Sequence, residues 1–262
     1  MKLKRALVHL NELNVACNLW LGKNGKPTPR IVSDPGSPGY ILVKATASEV
    51  PQEQCSLLIG DVVQNLRNAL DHLAYSLAVV HSGAFSYEDA RDRQFPIIGD
   101  RSAKGAAGMG PQMFKSAAPK LIKKISAQAQ AIIEGLPPFK LGGQFKTHAL
   151  RKVNELANCD KHRFIHVAAC MSSGFMINPS ASTNCTIGPG LIQALNPIMD
   201  GETVIAKIPA KPTNPNLQMN VDISPVLLIG FADGISCKKD VVKELTEIHI
   251  YVVTTVNPHL CH

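Results

Sequence analysis

The stretch LLIGDVVQNLRNALDHLAYSLA, residues 57 to 78, constrains the fold of this chain more than any other. At about 100° per residue, Ile59, Val62, Val63, Leu66, Leu70, Leu73 and Leu77 fall on one stripe. That spacing predicts a long amphipathic helix with this face in a core. The opposite side carries Asp61, Gln64, Asn65, Arg67, Asn68, Asp71, His72 and Tyr75, with neither Lys nor Glu among them. Asp and Asn are poor residues for a wet helix face, because their short side chains compete for backbone hydrogen bonds. Something must hold them, either a buried polar network or a site. Asp61, Asn65, Asn68 and His72 follow one another at four- and three-residue steps and share a ridge, with Arg67 and Asp71 on a parallel one. The plain reading is structural: an Arg67–Asp71 ion pair worth about a few tenths of a kcal/mol, and His72 bonded to Asn68.

The rest of the chain reads as α+β. Residues 3 to 21 predict a helix through Leu3, Ala6, Leu7, Leu10, Leu13, Cys17 and Trp20. A β-hairpin over 30–47 follows, turning at DPGSPG. The long helix then runs from near Pro51 to near Gly83. Residues 84 to 111 are mostly loop, with QFPII as an extended run and KGAAGMGP as a connector that lacks the Gly-Lys-Ser/Thr of a phosphate loop. One helix is expected over 112–135, its apolar face made by Ala118, Leu121, Ile122, Ile125, Ala129, Ile132 and Ile133. Lys115, Lys120, Lys123 and Lys124 give it a solvated face. Another helix is expected over about 144–162. Residues 164 to 236 alternate short β-prone runs with Pro, Gly, Asn and Ser, as in an antiparallel sheet. A last helix, capped by Asp240, runs through Val241, Leu245, Ile248, Val252 and Val256; its β-branched residues leave a strand at 248–254 as the alternative. The expected organisation is a helical core over 1–163 that includes the hairpin, a strand-rich segment over 164–236, and a C-terminal helix within 237–262 that packs on the core.

Composition narrows the setting. The chain has 262 residues and a formal charge of +7, which favours an anionic partner such as nucleic acid. No apolar run reaches the roughly 18–20 residues of a membrane span. The basic start, MKLKRALVHLNELNVACNLW, is interrupted by His9, Asn11, Glu12, Asn14 and Asn18, so it reads as a helix rather than a signal peptide. Seven cysteines without any Cys-x-x-Cys point away from a disulfide framework or a structural zinc site, and toward a reducing cytoplasm.

The RNALDH segment, with Arg67 followed by Asn68 and by His72 five positions on, resembles the Arg-x4-6-His motif of the HEPN superfamily (higher eukaryotes and prokaryotes nucleotide-binding). The wider run from IGDVVQNLRNALDHL through QFPI to NELANCDKHRF is also similar to a group of bacterial proteins. These share Gly-Asp-x-x-x-Asn-Leu-Arg-x-Ala-Leu-Asp-His-Leu and a downstream Asp-Lys-His-Arg. The resemblance implies a HEPN-like helical bundle acting as a dimeric, metal-independent RNA endonuclease. It makes Arg67 and His72 the catalytic pair, with Asn68 in support. Such chemistry is coherent: the 2′-OH of RNA is the nucleophile, an imidazole moves its proton, and a guanidinium takes up phosphate charge. Arg67 and His72 lie about 140° apart around the helix, so two antiparallel copies are needed to pair them over one phosphate. Lys161, His162 and Arg163 are either a cationic helix end or a phosphate-holding rim. Asp61, Asn65, Asp71 and Asp160 complete the polar stripe, and no metal or cofactor is expected. One alternative is a non-catalytic HEPN-like module for dimerisation or for binding a nucleotide or protein partner. The least favoured is a metal-dependent hydrolase using Asp61, His72, Asp160 and His162.

Overall fold

A computed structural model describes the chain except residues 28, 85, 87–93, 98–108, 172–176, 180–184, 188–192, 196, 213–220, 224–225, 235 and 257–262. The chain is α+β and divides into two compact units, each assembled from separated stretches: Met1–Leu13, Ser56–Ile165 and Val242–His262 in one, Asn14–Cys55 and His166–Val241 in the other.

The first unit is helical. Helix α1 (Lys2–Asn24) contributes its N-terminal half, where Ala6, Leu10 and Leu13 are buried while Leu7, expected in the core, is exposed. Helix α2 (Gln52–Ser82) is the predicted long helix. Its stripe is buried at Ile59, Val62, Val63, Leu66 and Leu70. Beyond Leu70 the buried line passes to Ala74 and Ala78, and Leu73 and Leu77 are only half-buried. The single helix expected over 112–135 is two, α3 (Met109–Ile122) and α4 (Ala127–Gly135). The break has a local cause. Ser126 caps α4 by accepting the Ala129 N–H at 3.3 Å, so the second helix starts afresh. Ala118, Ile122, Ile125, Ala129 and Ile133 still reach one core. The connector KGAAGMGP runs into α3 at Met109; its earlier residues lie outside those described.

A 3₁₀ stretch (Pro138–Thr147) precedes α5 (Ala149–His162), which therefore begins five residues later than the sequence suggests. Leu150, Val153, Leu156 and Ala157 are its buried face. The last helix, α6 (Val241–Tyr251), widens into a π-type turn over Val252–Val256, which overturns the strand alternative at 248–254. It buries Leu245, Ile248, Val252 and Val256. The Lys152–Glu244 ion pair ties it to α5, and His249 lies 3.3 Å from the Leu3 carbonyl of α1.

The second unit holds the strands. Strands β1 (Pro29–Ser33) and β2 (Tyr40–Thr46) make the hairpin, with Gly39 at φ +92° in its turn, a conformation glycine adopts without a Cβ penalty. The sequence placed the hairpin with the helical core. Instead β2 is zipped along its whole length to β8 (Glu202–Pro212) of the strand-rich segment. Lys207 of β8 reaches the turn, donating to Ser37 and pairing with Asp34, each at 2.7 Å. The β2–β8 register slips between Val43 and Lys44, so Ile205 is an extra residue, and Ile205 and Ala206 are buried in succession. Strand β3 (Val167–Met171) is central in a second antiparallel sheet. Of the QFPII run, residues 94–97 belong to no helix or strand, with Phe95 fully buried, and Ile98 lies outside the described residues.

Helix α5 begins on an unusual cap. The His148 Nδ1 accepts the Leu150 N–H at 3.2 Å, which leaves the ring proton on Nε2, 3.3 Å from the Tyr251 hydroxyl. Only a neutral imidazole can do this. Burial holds the His148 pKa below its ordinary value of 6.5. The unfolded chain therefore takes up this proton first, and stability is full above pH 6.5 and falls as the pH drops below it. Denaturant midpoints measured between pH 7.5 and 5.5 should decline for the natural chain. In His148→Asn, which keeps a side-chain acceptor, that pH slope should flatten.

Candidate functional site

The polar side of α2 splits into two environments. In the first, Arg67 is turned inward, its side chain only 12% exposed. Its Nη2 sits 3.0 Å from Asp71 Oδ1 and donates to the Phe95 carbonyl at 3.1 Å, while the Phe95 N–H donates to the same Asp71 oxygen at 2.9 Å. The two ridge residues thus grip both backbone groups of Phe95 and fix the QFPI segment against the helix. Burial lowers the Arg67 pKa, and Asp71 works against that shift. Nη1 is buried with no hydrogen-bond partner among the described residues.

The second environment is the seam between α2 and α5. Gly60 of α2 packs directly against the Asp160 carboxylate; a Cβ at this position would overlap it. One turn on, Gln64 Nε2 donates to both the Ala157 carbonyl and Asp160 Oδ2, each at 3.0 Å. The side chain of Ser56, also on α2, accepts the Ile165 N–H at 3.1 Å beyond the end of α5. These bonds draw the LIGDVVQ and NCDKHRF motifs together. At their meeting a cleft of about 410 Å³ opens, lined by Leu57, Gly60, Asp61, Gln64, Asp160, Arg163 and Phe164 together with Ser56. Leu57 is 64% exposed and Phe164 66% exposed, so the cleft has apolar walls facing solvent. Asp61 lies at its edge, 3.9 Å from the buried His9, whose Nδ1 is 2.9 Å from Glu12.

The structure separates residues that the sequence grouped. Arg67 and Asp71 belong to the Phe95 grip. His72 is exposed and has no hydrogen-bond partner among the described residues, so its expected bond to Asn68 is not made. Asn68 is half-buried, and Asn65 spends its amide on the Asp61 carbonyl at 2.8 Å. Lys161, His162 and Arg163 are all exposed at the end of α5, where positive charge suits the helix dipole. Only Arg163 of the three lines the cleft, and its Nη2 reaches Cys159 Sγ at 3.7 Å. Asp61 and Asp160, assigned to the stripe, do meet there. Among the described residues no three His, Cys, Asp or Glu side chains are placed to hold a metal ion, so the hydrolase reading with Asp61, His72, Asp160 and His162 finds no ligand set. The sequence reading put Gln64 on the polar side without a role and gave none to Gly60, Leu57, Phe164 or His9. Gly60 left a signal, since a glycine inside a helical pattern marks a close packing contact.

Comparison with known proteins returns no match: no family model, no curated protein and no solved structure aligns with the chain.

Two substitutions test this account of the site by stability alone. Gly60→Ala must push the Asp160 carboxylate off its bond to Gln64, and should cost about 1–3 kcal/mol, despite up to about 1 kcal/mol of gained helix propensity. Arg67→Ala removes the cation paired with Asp71 and leaves the Phe95 carbonyl without its donor, and should cost about 2–3 kcal/mol. Urea unfolding would read both as lowered midpoints at unchanged slope. Neutral outcomes would mean these side chains are not holding the helices as described.

Proposed function

We propose that this chain is a HEPN-like module that binds a nucleotide or a short stretch of RNA without cutting it. The observation that carries this reading is the inward turn of Arg67. A guanidinium that stabilises a phosphoryl transition state must aim its donors at the reacting oxygens. Here one nitrogen is shared between Asp71 and the Phe95 carbonyl, and the side chain is almost wholly out of solvent. His72, the other half of the implied pair, is at the surface, without a described partner to orient its ring. A general acid or base works best when its tautomer and direction are fixed. The net charge of +7 supports an anionic partner, and the resemblance of RNALDH to the HEPN motif supports a nucleotide-bearing one.

The two-chain ribonuclease is the rival. It requires Arg67 to exchange Asp71 for a phosphate and release Phe95 when copies pair. Purified protein incubated with single-stranded RNA in the presence of a chelator distinguishes the two. The expected result is intact RNA, with binding seen by fluorescence anisotropy that weakens as salt rises, and His72→Ala indistinguishable from the natural chain. Fragments ending in cyclic phosphate that disappear in His72→Ala would reverse the reading in favour of the nuclease. An absence of RNA or nucleotide binding at low salt would remove it altogether.

A further inference from the structure

Three chemical zones meet in the cleft between α2 and the end of α5, and we infer that it takes a guanine base with its phosphate toward Arg163. This inference rests on the nucleotide-binding reading and names the site and the base.

The size is suitable, since small-molecule sites occupy roughly 300–1,000 Å³ and this cleft measures about 410 Å³. Its walls are Leu57 and Phe164, both about two-thirds exposed. An exposed phenyl beside an aliphatic side chain is a surface on which a flat ring can lie, and bases are held in this way on aromatic side chains. The inner face is built of acceptors. Gln64 uses its Nε2 on Ala157 and Asp160, and among the described residues its Oε1 accepts nothing. Asp160 has one oxygen engaged by Gln64, and the Asp61 carboxylate is mostly in solvent. The remaining valences are oxygen lone pairs, on two carboxyl groups and one amide. The rim is cationic: Arg163 lines the cleft, and Lys161 and His162 are exposed just before it.

A ligand that satisfies all three zones is a flat ring with adjacent donors on one edge and an anion at its other end. Guanine offers N1–H and the N2 amino group side by side, which suits charge-assisted bonds to carboxylates. Adenine and cytosine offer one amino group next to a ring nitrogen lone pair, and uracil one N–H between two carbonyls. Each would set an acceptor against Asp61 or Asp160. An arginine or lysine side chain from a peptide would satisfy the carboxylates, but its charge would meet Arg163.

The experiment is calorimetric titration of the full chain at low salt with 5′-GMP, guanosine, 5′-AMP, 5′-CMP, 5′-UMP and a short arginine-containing peptide. GMP should bind about tenfold or more tightly than the other nucleotides, and Phe164→Ala should weaken it about tenfold through lost stacking. Asp61→Asn, at an exposed position, should erase the preference for GMP. Arg163→Ala should bring GMP down to the level of guanosine. Equal binding of all four nucleotides, or RNA binding with no response to Phe164→Ala and Asp61→Asn, overturns the guanine site while leaving the nucleotide-binding reading standing. Peptide binding sensitive to those two variants, with no nucleotide or RNA bound, overturns both.

Discussion

The approach of α2 to α5 at Gly60 is the constraint on which the candidate site depends. Two helices come close only where side chains permit it, and here the absence of a Cβ lets a carboxylate lie on the helix backbone. A half-buried carboxylate needs donors, and Gln64 supplies them from the next turn of the same helix. The contact is thus specific in both shape and charge. The cleft lies where these two helices meet, and among the described residues its walls Leu57 and Phe164 stay largely exposed.

The same logic explains why α2 carries so many short polar residues. Gln64 serves α5, Arg67 and Asp71 serve the Phe95 segment, and Asn65 bonds back to its own helix. At Asp71 helix propensity is sacrificed for a bond to the irregular backbone of the buried Phe95. A polar helix face can therefore look like a reaction centre in sequence while acting as scaffolding. What faces the cleft beyond this scaffolding is chiefly the Asp61 carboxylate and the apolar surfaces of Leu57 and Phe164.

Much of this was legible from the residues, and the boundary between legible and illegible is physical. The 3.6-residue period of α2 placed Ile59 to Leu70 correctly, because burial of a regular helix repeats regularly. The Arg67–Asp71 pair was legible too, being four residues apart on one helix. Its hold on Phe95 was not, since a backbone carbonyl 28 residues away has no sequence signature. The split between α3 and α4 turns on the Ser126 cap, which the sequence analysis did not weigh because the apolar period continues across it. The hairpin was found through its turn, yet its partner β8 lies 158 residues from β2, as the Lys44–Glu202 pair measures. Strand pairing over such separations is set by the whole fold rather than by local pattern.

The interleaving of the two units bears on how the chain reaches its native state. Each unit includes segments from both early and late in the sequence, separated by residues that belong to the other. Neither can be finished on a ribosome while its closing segment is still unsynthesised: β8 and the Leu227–Phe231 strand for the sheets, α6 for the helices. Loop-closure entropy must be overcome before those distant pairings repay it. The nascent helices must therefore wait with apolar stripes uncovered, the condition in which growing chains are most dependent on chaperones.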